Sequence, residues 1–88
     1  MRIVFSDIAW SDYLWWQEQA SGLDKVNRLI EECWRAPFHG LGKPEPLKRD
    51  FAGYWSRRIT GEHRLIYRLT GKGDTQQLEL LQCRLHYD

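Results

Sequence analysis

The sequence predicts an α+β fold with an N-terminal strand, a hairpin of two helices and then an antiparallel sheet meander. Three observations support this class. Residues 2–5 are rich in β-branched and aromatic side chains, residues 7–35 place apolar side chains at helical spacing, and residues 54–87 form strand-like segments separated by glycine-containing turns. Because the helices precede the run of strands, the pattern indicates α+β.

The first half of the chain predicts one strand and two helices. Arg2–Phe5 predicts a strand, and Ser6 is a suitable N-cap for the helix that follows. We expect this helix to reach about Ala20, because Ser21–Gly22 then breaks the pattern. A second helix is expected over Leu23–Arg35. Its apolar face consists of Leu23, Val26, Leu29, Ile30, Cys33 and Trp34.

The second half of the chain predicts a loop and an antiparallel meander. Residues 36–46 contain all three prolines and two glycines, so they predict a loop. A short strand is expected at Leu47–Arg49. Longer strands are expected at Tyr54–Thr60, Arg64–Thr70 and Gln77–Tyr87, with short turns between them.

Alternation along the strand Arg64–Thr70 assigns its two faces. Leu65, Tyr67 and Leu69 share one side and are expected to pack on the helices. Arg64 then projects from the opposite, concave side. Arg58 reaches the same side if the preceding hairpin has a regular register.

Length and composition predict a single domain over residues 1–88 of a cytoplasmic protein. No apolar segment approaches the roughly 18 residues that a membrane span needs, and the N-terminus does not look like a targeting signal. Cys33 and Cys83 lie in apolar runs, so each is expected to be a buried free thiol. Cys83 and His86 alone do not make a zinc site, because further ligands at suitable spacing are lacking; we expect no metal and no cofactor.

The charge distribution is uneven although the net charge is only +1. Residues 42–68 contain seven basic and three acidic side chains, whereas the flanking segments are net acidic. Either this segment forms a local anion site, or its strands carry arginines on a solvated face. Charge alone favours the solvated face.

Three titratable residue types could together cleave RNA without a metal. Glu45 lies between two prolines, Arg64 begins a strand, and His86 is third from the C-terminus. RNA cleavage needs a base for the ribose 2′-hydroxyl, an acid for the leaving 5′-oxygen and a cation for the phosphate. Each residue by itself is more often a solvated or ion-paired side chain than a catalytic one.

Several segments in fixed order carry a more specific signal than any single residue. They are Lys43–Lys48 (KPEPLK), Gly53–Ile59 (GYWSRRI), Glu62–Tyr67 (EHRLIY) and Cys83–Tyr87 (CRLHY), together with Trp10–Tyr13 and Pro37–Phe38. These segments closely resemble the YoeB (Txe/YoeB) toxins of the RelE superfamily, and the resemblance covers essentially the whole chain.

The resemblance implies a toxin of a type II toxin–antitoxin system. Such toxins bind the ribosome, cleave mRNA at the A site without a metal, are blocked by a YefM-like antitoxin and can form homodimers. The resemblance also implies site roles: Glu45 as general base, His86 as general acid, Arg64 as phosphate stabiliser and Tyr87 as a residue that orients the substrate. The implied RNA phosphate contacts are Lys43, Lys48 and Arg58.

Two features depart from the family pattern. Asp88 follows the His-Tyr pair at which family members commonly stop, and the hairpin at residues 71–76 is longer than usual. In addition, an ordinary glutamate carboxylate is a weak base at neutral pH. We therefore expect weak activity on free RNA and strong activity on translating ribosomes.

Two other functions remain open at this point. A relative could block translation by occupying the A site without cutting, through the same basic surface. A protein of the same fold could instead poison DNA gyrase, as ParE-type toxins do, although the intact set of Glu45, Arg64, His86 and Tyr87 argues against this.

Trp15 and Trp16 are adjacent on one predicted helix, so we expect that they cannot both face the same core. One of them would then be a half-buried surface aromatic or part of a dimer or antitoxin interface.

Overall fold

The computed structural model describes residues 1–85 and confirms the α+β class. Among these residues, no helix is long and apolar enough to cross a membrane. Short 3₁₀ turns lie at Arg49–Phe51 and Gly73–Thr75. In chain order the main elements are β1 (Arg2–Phe5), α1 (Asp7–Gln17), α2 (Leu23–Arg35), β2 (Glu45–Pro46), β3 (Trp55–Arg58), β4 (Arg64–Thr70) and β5 (Gln77–Gln82).

The strands form one mixed sheet in the order β1-β5-β4-β3-β2. Strands β2 to β5 form the expected antiparallel meander. β1 lies beside β5 and runs parallel to it, with Arg2 opposite Gln77 and Phe5 opposite Leu80. The two helices make the long connection between β1 and the meander, which allows the parallel pairing.

Both helices contribute to a core on one face of the sheet. Leu65 and Tyr67 of β4 lie in this core and Leu69 packs against it, as the alternation predicted. The other face of β4 carries Arg64, Ile66 and Arg68. The buried core residues are Ala9, Trp16, Val26, Leu29, Ile30, Cys33, Ile59, Leu65, Tyr67, Leu78, Leu80 and Cys83.

Helix α1 begins as expected and ends early. The Ser6 hydroxyl accepts the backbone N–H of Ala9 at 2.9 Å, which is an N-cap. The helix stops at Gln17 and not at Ala20, because the amides of residues 18 and 19 bond to carbonyls three residues back and tighten the last turn. Gly22, with φ +108°, then reverses the chain into α2.

The strand expected at Leu47–Arg49 is wrong. The pairing strand is β2, two residues earlier, and Arg49 opens a 3₁₀ turn with φ +59°. A positive φ is incompatible with extended backbone, so a strand cannot continue through Arg49. β2 therefore occupies the end of the segment that was predicted to be loop.

Strands β3 and β5 are shorter than predicted. β3 covers Trp55–Arg58 and not Tyr54–Thr60, because the chain turns at residues 59–63 through bonds from the Ile59 and Thr60 amides to the His63 carbonyl. β5 ends at Gln82, and the predicted end at Tyr87 lies outside the described residues.

A β-bulge near the end of β5 changes which side chains face the core. Successive residues of β4 pair with Leu80 and Gln82, so Leu81 is an inserted residue. The insertion shifts the alternation by one position. As a result Cys83 is buried in the core, next to α1.

Trp15 and Trp16 differ in burial, which confirms the expectation that one of them is half-buried. Trp16 is 3% exposed and lies in the core, and Trp15 packs against the same cluster with its ring centroid 5.0 Å from that of Trp16. The indole of Trp15 is large enough to reach the edge of the core from the neighbouring helix position.

Candidate active site

Four charged side chains meet in a small polar depression at the β2–β3–β4 end of the sheet. The depression has a volume of about 50 Å³. Lys43, Arg58 and Arg64 supply positive charge, and Glu45 supplies a carboxylate. The depression is lined by Gly42, Lys43, Glu45, Ser56, Arg58 and Arg64.

Strand pairing brings the carboxylate to this place. Glu45 lies opposite Ser56 on β3, and Pro46 lies opposite Trp55. The prolines on both sides of Glu45 restrict the backbone to extended conformations. This short, stiff strand therefore holds Glu45 at the edge of the sheet with its side chain exposed.

Gly42 allows the loop to approach β3 closely. Its carbonyl accepts the Arg58 backbone N–H at 2.7 Å, and its φ is +81°. A Cβ at this position would lie 3.0 Å from both the Arg58 carbonyl and the Leu29 side chain. Glycine thus sets the distance between the loop that carries Lys43 and the strand that carries Arg58.

Arg58 and Arg64 lie directly opposite each other on β3 and β4, which confirms the regular register expected from the sequence. Like charges in this position repel each other. Among residues 1–85, neither arginine forms an ion pair, and the guanidinium of Arg64 donates to the Thr60 carbonyl at 3.2 Å. Two adjacent cations without a carboxylate partner favour an anion at this position.

The remaining basic residues of the central segment have different roles. Lys48 is exposed and its carbonyl accepts the Phe51 N–H of the 3₁₀ turn; it does not line the depression. Arg68 forms an ion pair with Glu79 at 2.7 Å. Both alternatives considered for residues 42–68 therefore apply: some of the basic side chains form a candidate anion site, and others lie on a solvated face.

Arg57 is fully buried and was not predicted from the sequence. Its guanidinium donates to the carbonyls of Ala36, His39 (3.1 Å) and Leu41 (2.9 Å), and its Nε donates to the Tyr67 hydroxyl at 3.1 Å. Arg57 therefore attaches residues 36–41 to the sheet and supports the loop that leads to the site. The alternation of side chains along this strand could have indicated that Arg57, unlike Arg58, points towards the core.

His86 and Tyr87, the predicted acid and orienting residue, lie outside the described residues. The last described residue, Leu85, lies beside the site. Its carbonyl accepts the Arg64 backbone N–H at 3.2 Å, and its own N–H donates to His63 Nδ1 at 2.8 Å. The chain therefore arrives at the start of β4, where Arg64 enters the depression.

Helix α1 holds the segment just before Leu85. Trp16 Nε1 donates to the Cys83 carbonyl at 2.6 Å, and the Cys83 N–H donates to the Asp12 carboxylate at 3.0 Å. The Arg84 guanidinium lies over the Trp15 ring at 4.0 Å. We refer to residues 83–85 as the tail segment. Sequence reasoning missed these contacts because they join residues about 70 positions apart.

Neither cysteine is an activated nucleophile. Cys33 and Cys83 are free and buried, as expected, and burial raises the pKa of each thiol to about 12. Both are therefore protonated at neutral pH. Within residues 1–85, no cluster of three or more histidine, cysteine or acidic side chains could hold a metal ion. The chemistry available in the depression is that of a carboxylate among cations.

Comparison with known proteins identifies the family. A family model described as the YoeB-like toxin of bacterial type II toxin–antitoxin systems matches residues 5–87. The chain belongs to this family. Toxin YoeB of Escherichia coli strain K12 is 48% identical over 88 residues, which are 99% of this chain and 100% of that protein. Toxin YoeB of Streptomyces coelicolor is 50% identical with the same coverage.

Solved structures agree with the assignment to the YoeB-like family. A YoeB/ParE toxin from Agrobacterium tumefaciens is 56% identical, with a TM-score of 0.94 over 99% of this chain and 100% of that one. The YoeB dimer from Staphylococcus aureus is 37% identical, with a TM-score of 0.83 over 99% of this chain and 98% of that one. YafQ from E. coli, at 22% identity and a TM-score of 0.77, shares the fold.

Proposed function

We propose that this toxin is a metal-independent endoribonuclease that cleaves mRNA in the ribosomal A site and so inhibits translation. The observation that carries the proposal is the placement of Glu45 in one depression with Lys43, Arg58 and Arg64. A carboxylate can accept the proton of a ribose 2′-hydroxyl, and the cations can stabilise a phosphate that gains charge.

The proposed reaction breaks one phosphodiester bond and leaves a cyclic phosphate. Glu45 takes the proton of the 2′-hydroxyl, and the 2′-oxygen attacks the neighbouring phosphorus. The bond from phosphorus to the 5′-oxygen breaks, and His86 gives its proton to that oxygen. Arg64 stabilises the charge on the phosphate in the transition state. The products carry a 2′,3′-cyclic phosphate and a 5′-hydroxyl, and DNA is not cut because it lacks the 2′-hydroxyl.

The other predicted residues bind and orient the RNA. Lys43 and Arg58 flank Glu45 in the depression and would contact phosphates beside the cleaved bond. Lys48 is exposed on the segment after β2 and would contact a phosphate farther along the strand. Tyr87 would orient the substrate by stacking on a base.

A depression of about 50 Å³ is too shallow to enclose a nucleotide. We therefore propose that the ribosome completes the site by holding the mRNA against it and excluding water. Water exclusion strengthens the electrostatic interactions of Glu45 and Arg64 with the substrate. This is why free RNA should be cut slowly and ribosome-bound mRNA rapidly.

The partners proposed for the toxin are a YefM-like antitoxin, the ribosome and mRNA, all in the cytoplasm. YoeB of Staphylococcus aureus forms a complex with YefM and also a dimer. At 37% identity over nearly the full chain, the same two associations are proposed here: an antitoxin that covers the site, and a homodimer. Sedimentation of the purified chain, alone and with the antitoxin, measures both.

The test is cleavage of a defined mRNA on stalled ribosomes, with the cut ends identified chemically. We expect wild type to leave a 2′,3′-cyclic phosphate. Glu45→Gln and His86→Gln should each lower the rate by about 10²- to 10⁴-fold, the usual cost of removing a general base or acid. Glu31→Gln and His39→Gln, at exposed side chains outside the depression, are the matched controls.

Three outcomes would contradict the proposal. A cut that leaves a 3′-hydroxyl would indicate a different mechanism. If both site variants arrest translation as strongly as wild type, the toxin is a non-cleaving A-site binder. If translation is unaffected and gyrase-dependent DNA supercoiling is blocked, the function is that of a gyrase poison.

A further inference from the structure

The tail segment is tied to the rest of the protein through its backbone. One tie comes from the Asp12 carboxylate and one from the Trp16 indole, both on α1. The third comes from His63 on the turn before β4, whose Nδ1 accepts the Leu85 N–H at 2.8 Å. The Arg64 N–H also donates to the Leu85 carbonyl, so the ties of Leu85, from His63 and from Arg64, are the nearest in sequence to His86, which is joined directly to Leu85.

The structure holds His63 firmly in place. Its side chain is buried, with ring centroids 5.4 Å and 5.1 Å from those of Trp15 and Trp16. Its carbonyl accepts the Ile59 N–H at 2.9 Å, and its N–H donates to the Thr60 hydroxyl at 3.2 Å. Both the ring and the backbone of His63 are therefore held by contacts with residues outside the tail segment.

The hydrogen bond defines the form of the imidazole. Because Nδ1 accepts the hydrogen bond from the Leu85 N–H, it carries no proton, and the ring proton is assigned to Nε2. Nε2 lies 3.9 Å from the exposed carboxylate of Glu62. The ring thus acts as an acceptor toward the tail segment.

Leu85 needs this support because its backbone is strained. Its φ is +66°, in the left-handed region that non-glycine residues rarely adopt. Such conformations persist where surrounding contacts hold them. For Leu85 these contacts are the bond from its N–H to His63 and the bond to its carbonyl from the Arg64 N–H.

We propose that His63 is a positioning residue for catalysis: its Nδ1 holds Leu85, and so fixes the point from which the chain continues to the proposed general acid, His86. This inference rests on the proposed function. Adjacent Cα atoms are about 3.8 Å apart, so fixing Leu85 restricts the region that His86 can reach. His63 does not contact the substrate; its effect passes through the backbone of the tail segment.

A matched pair of substitutions tests the role of Nδ1. In His63→Asn, the side-chain Oδ1 can replace Nδ1 as the acceptor for Leu85. In His63→Leu, the side chain has the same shape as asparagine and has no acceptor. Both variants lose the imidazole contacts with the tryptophans, so a difference between the two variants reports the hydrogen bond.

The first readout is hydrogen exchange of the Leu85 amide, which does not depend on any catalytic activity. We expect protection in wild type and in His63→Asn, and its loss in His63→Leu. Equal protection in both variants would overturn the inference and leave the proposed function intact. If Glu45→Gln leaves cleavage unchanged, the proposed function fails, and the exchange result still decides whether His63 holds Leu85.

The second readout is cleavage on ribosomes. Small displacements of a reacting group lower rates strongly, so His63→Leu should lower kcat about tenfold to a hundredfold with little change in KM. His63→Asn should restore most of the rate. A rate in His63→Asn as low as in His63→Leu, despite a protected Leu85 amide, would refute the catalytic role.

A further variant keeps the inference testable if both His63 variants unfold. Trp16→Phe keeps an aromatic ring in the core, and it removes both the donor to the Cys83 carbonyl and part of the indole that packs against His63. It loosens the tail segment at its start. In this variant we expect faster hydrogen exchange at the Leu85 amide together with a lower kcat. If the Leu85 amide exchanges freely and kcat is unchanged, the position of the tail segment does not limit catalysis, and the inference is refuted.

Discussion

Arg57 and Arg58 are adjacent in β3 and point to opposite faces of the sheet, and we predict that they have separable roles. Arg57 is completely buried, whereas Arg58 is exposed and lines the depression. Arg57→Met should strongly lower the free energy of unfolding. Arg58→Met should lower cleavage and leave stability almost unchanged.

The size of the stability effect follows from the hydrogen bonds of the guanidinium. Arg57→Met keeps an apolar stem in the core and removes the donors to the Ala36, His39 and Leu41 carbonyls and to the Tyr67 hydroxyl. Each acceptor left unpaired in a buried place costs about 1–3 kcal/mol. Because part of the loop can rehydrate and such terms are not additive, we expect a total of about 3–4 kcal/mol.

Arg58→Met provides the control within the same strand. Surface substitutions of this kind usually change stability by less than about 0.5 kcal/mol. Removing a cation beside the proposed scissile phosphate should nevertheless slow cleavage on ribosomes. The pair thus separates support of the fold from contact with RNA.

The assay is urea unfolding followed by tryptophan fluorescence, because the chain has five tryptophans. For a domain of this size, a loss of 3–4 kcal/mol lowers the urea midpoint by about 2 M. Equal midpoints for the two variants would refute the reasoning that Arg57 attaches residues 36–41 to the sheet. A large stability loss in Arg58→Met would refute the assignment of Arg58 to the solvent-facing site.

Two further predictions concern carboxylates. Burial raises the pKa of Asp12, so above about pH 3.8 its negative charge destabilises the folded state. Asp12→Asn can still accept the Cys83 N–H and should be at least as stable as wild type in urea unfolding at pH 7. Asp12→Ala loses this acceptor and should lower the free energy of unfolding by about 1 kcal/mol or more. A lower free energy of unfolding for Asp12→Asn than for wild type at pH 7 would contradict the prediction that the Asp12 charge is destabilising. Hydrogen bonds from Gln77, and then from Arg68 and Thr70, hold the pKa of Glu79 below its usual 4.5, so Glu79→Gln should cost up to about 1 kcal/mol at pH 7. The Glu79 contribution is complete above pH 4.5 and is lost as the pH falls through the lower folded value, so a difference from wild type that is as large at pH 2 as at pH 7 would show another cause.

Elements with a clear periodicity could be predicted to the residue. The observed strands Arg2–Phe5 and Arg64–Thr70 and the helix Leu23–Arg35 have the expected bounds, because their apolar side chains follow one period from end to end. The prediction failed where the backbone departs from local preference. The positive φ of Arg49 (+59°) and the tightened last turn of α1 are backbone features that the spacing of apolar side chains does not record.

The candidate site was predictable in part for the same reason. Alternation and a short hairpin are enough to place Arg58 opposite Arg64. The approach of Glu45 requires β2 to pair with β3, and the sequence suggested that strand two residues too late. Arg57 and His63 form bonds with residues distant in the chain, so residue type and spacing could not show their partners.

The parallel pairing of β1 with β5 has a consequence for synthesis of the toxin. The capping hydroxyl of Ser6 bonds to a carbonyl 75 residues later, at Leu81, and β1 has β5 as its neighbour in the sheet. During translation, the first strand therefore remains without its partner until residues 77–82 have emerged. Contacts between such distant segments also form slowly. A nascent toxin therefore cannot close its sheet until β5 has been synthesised.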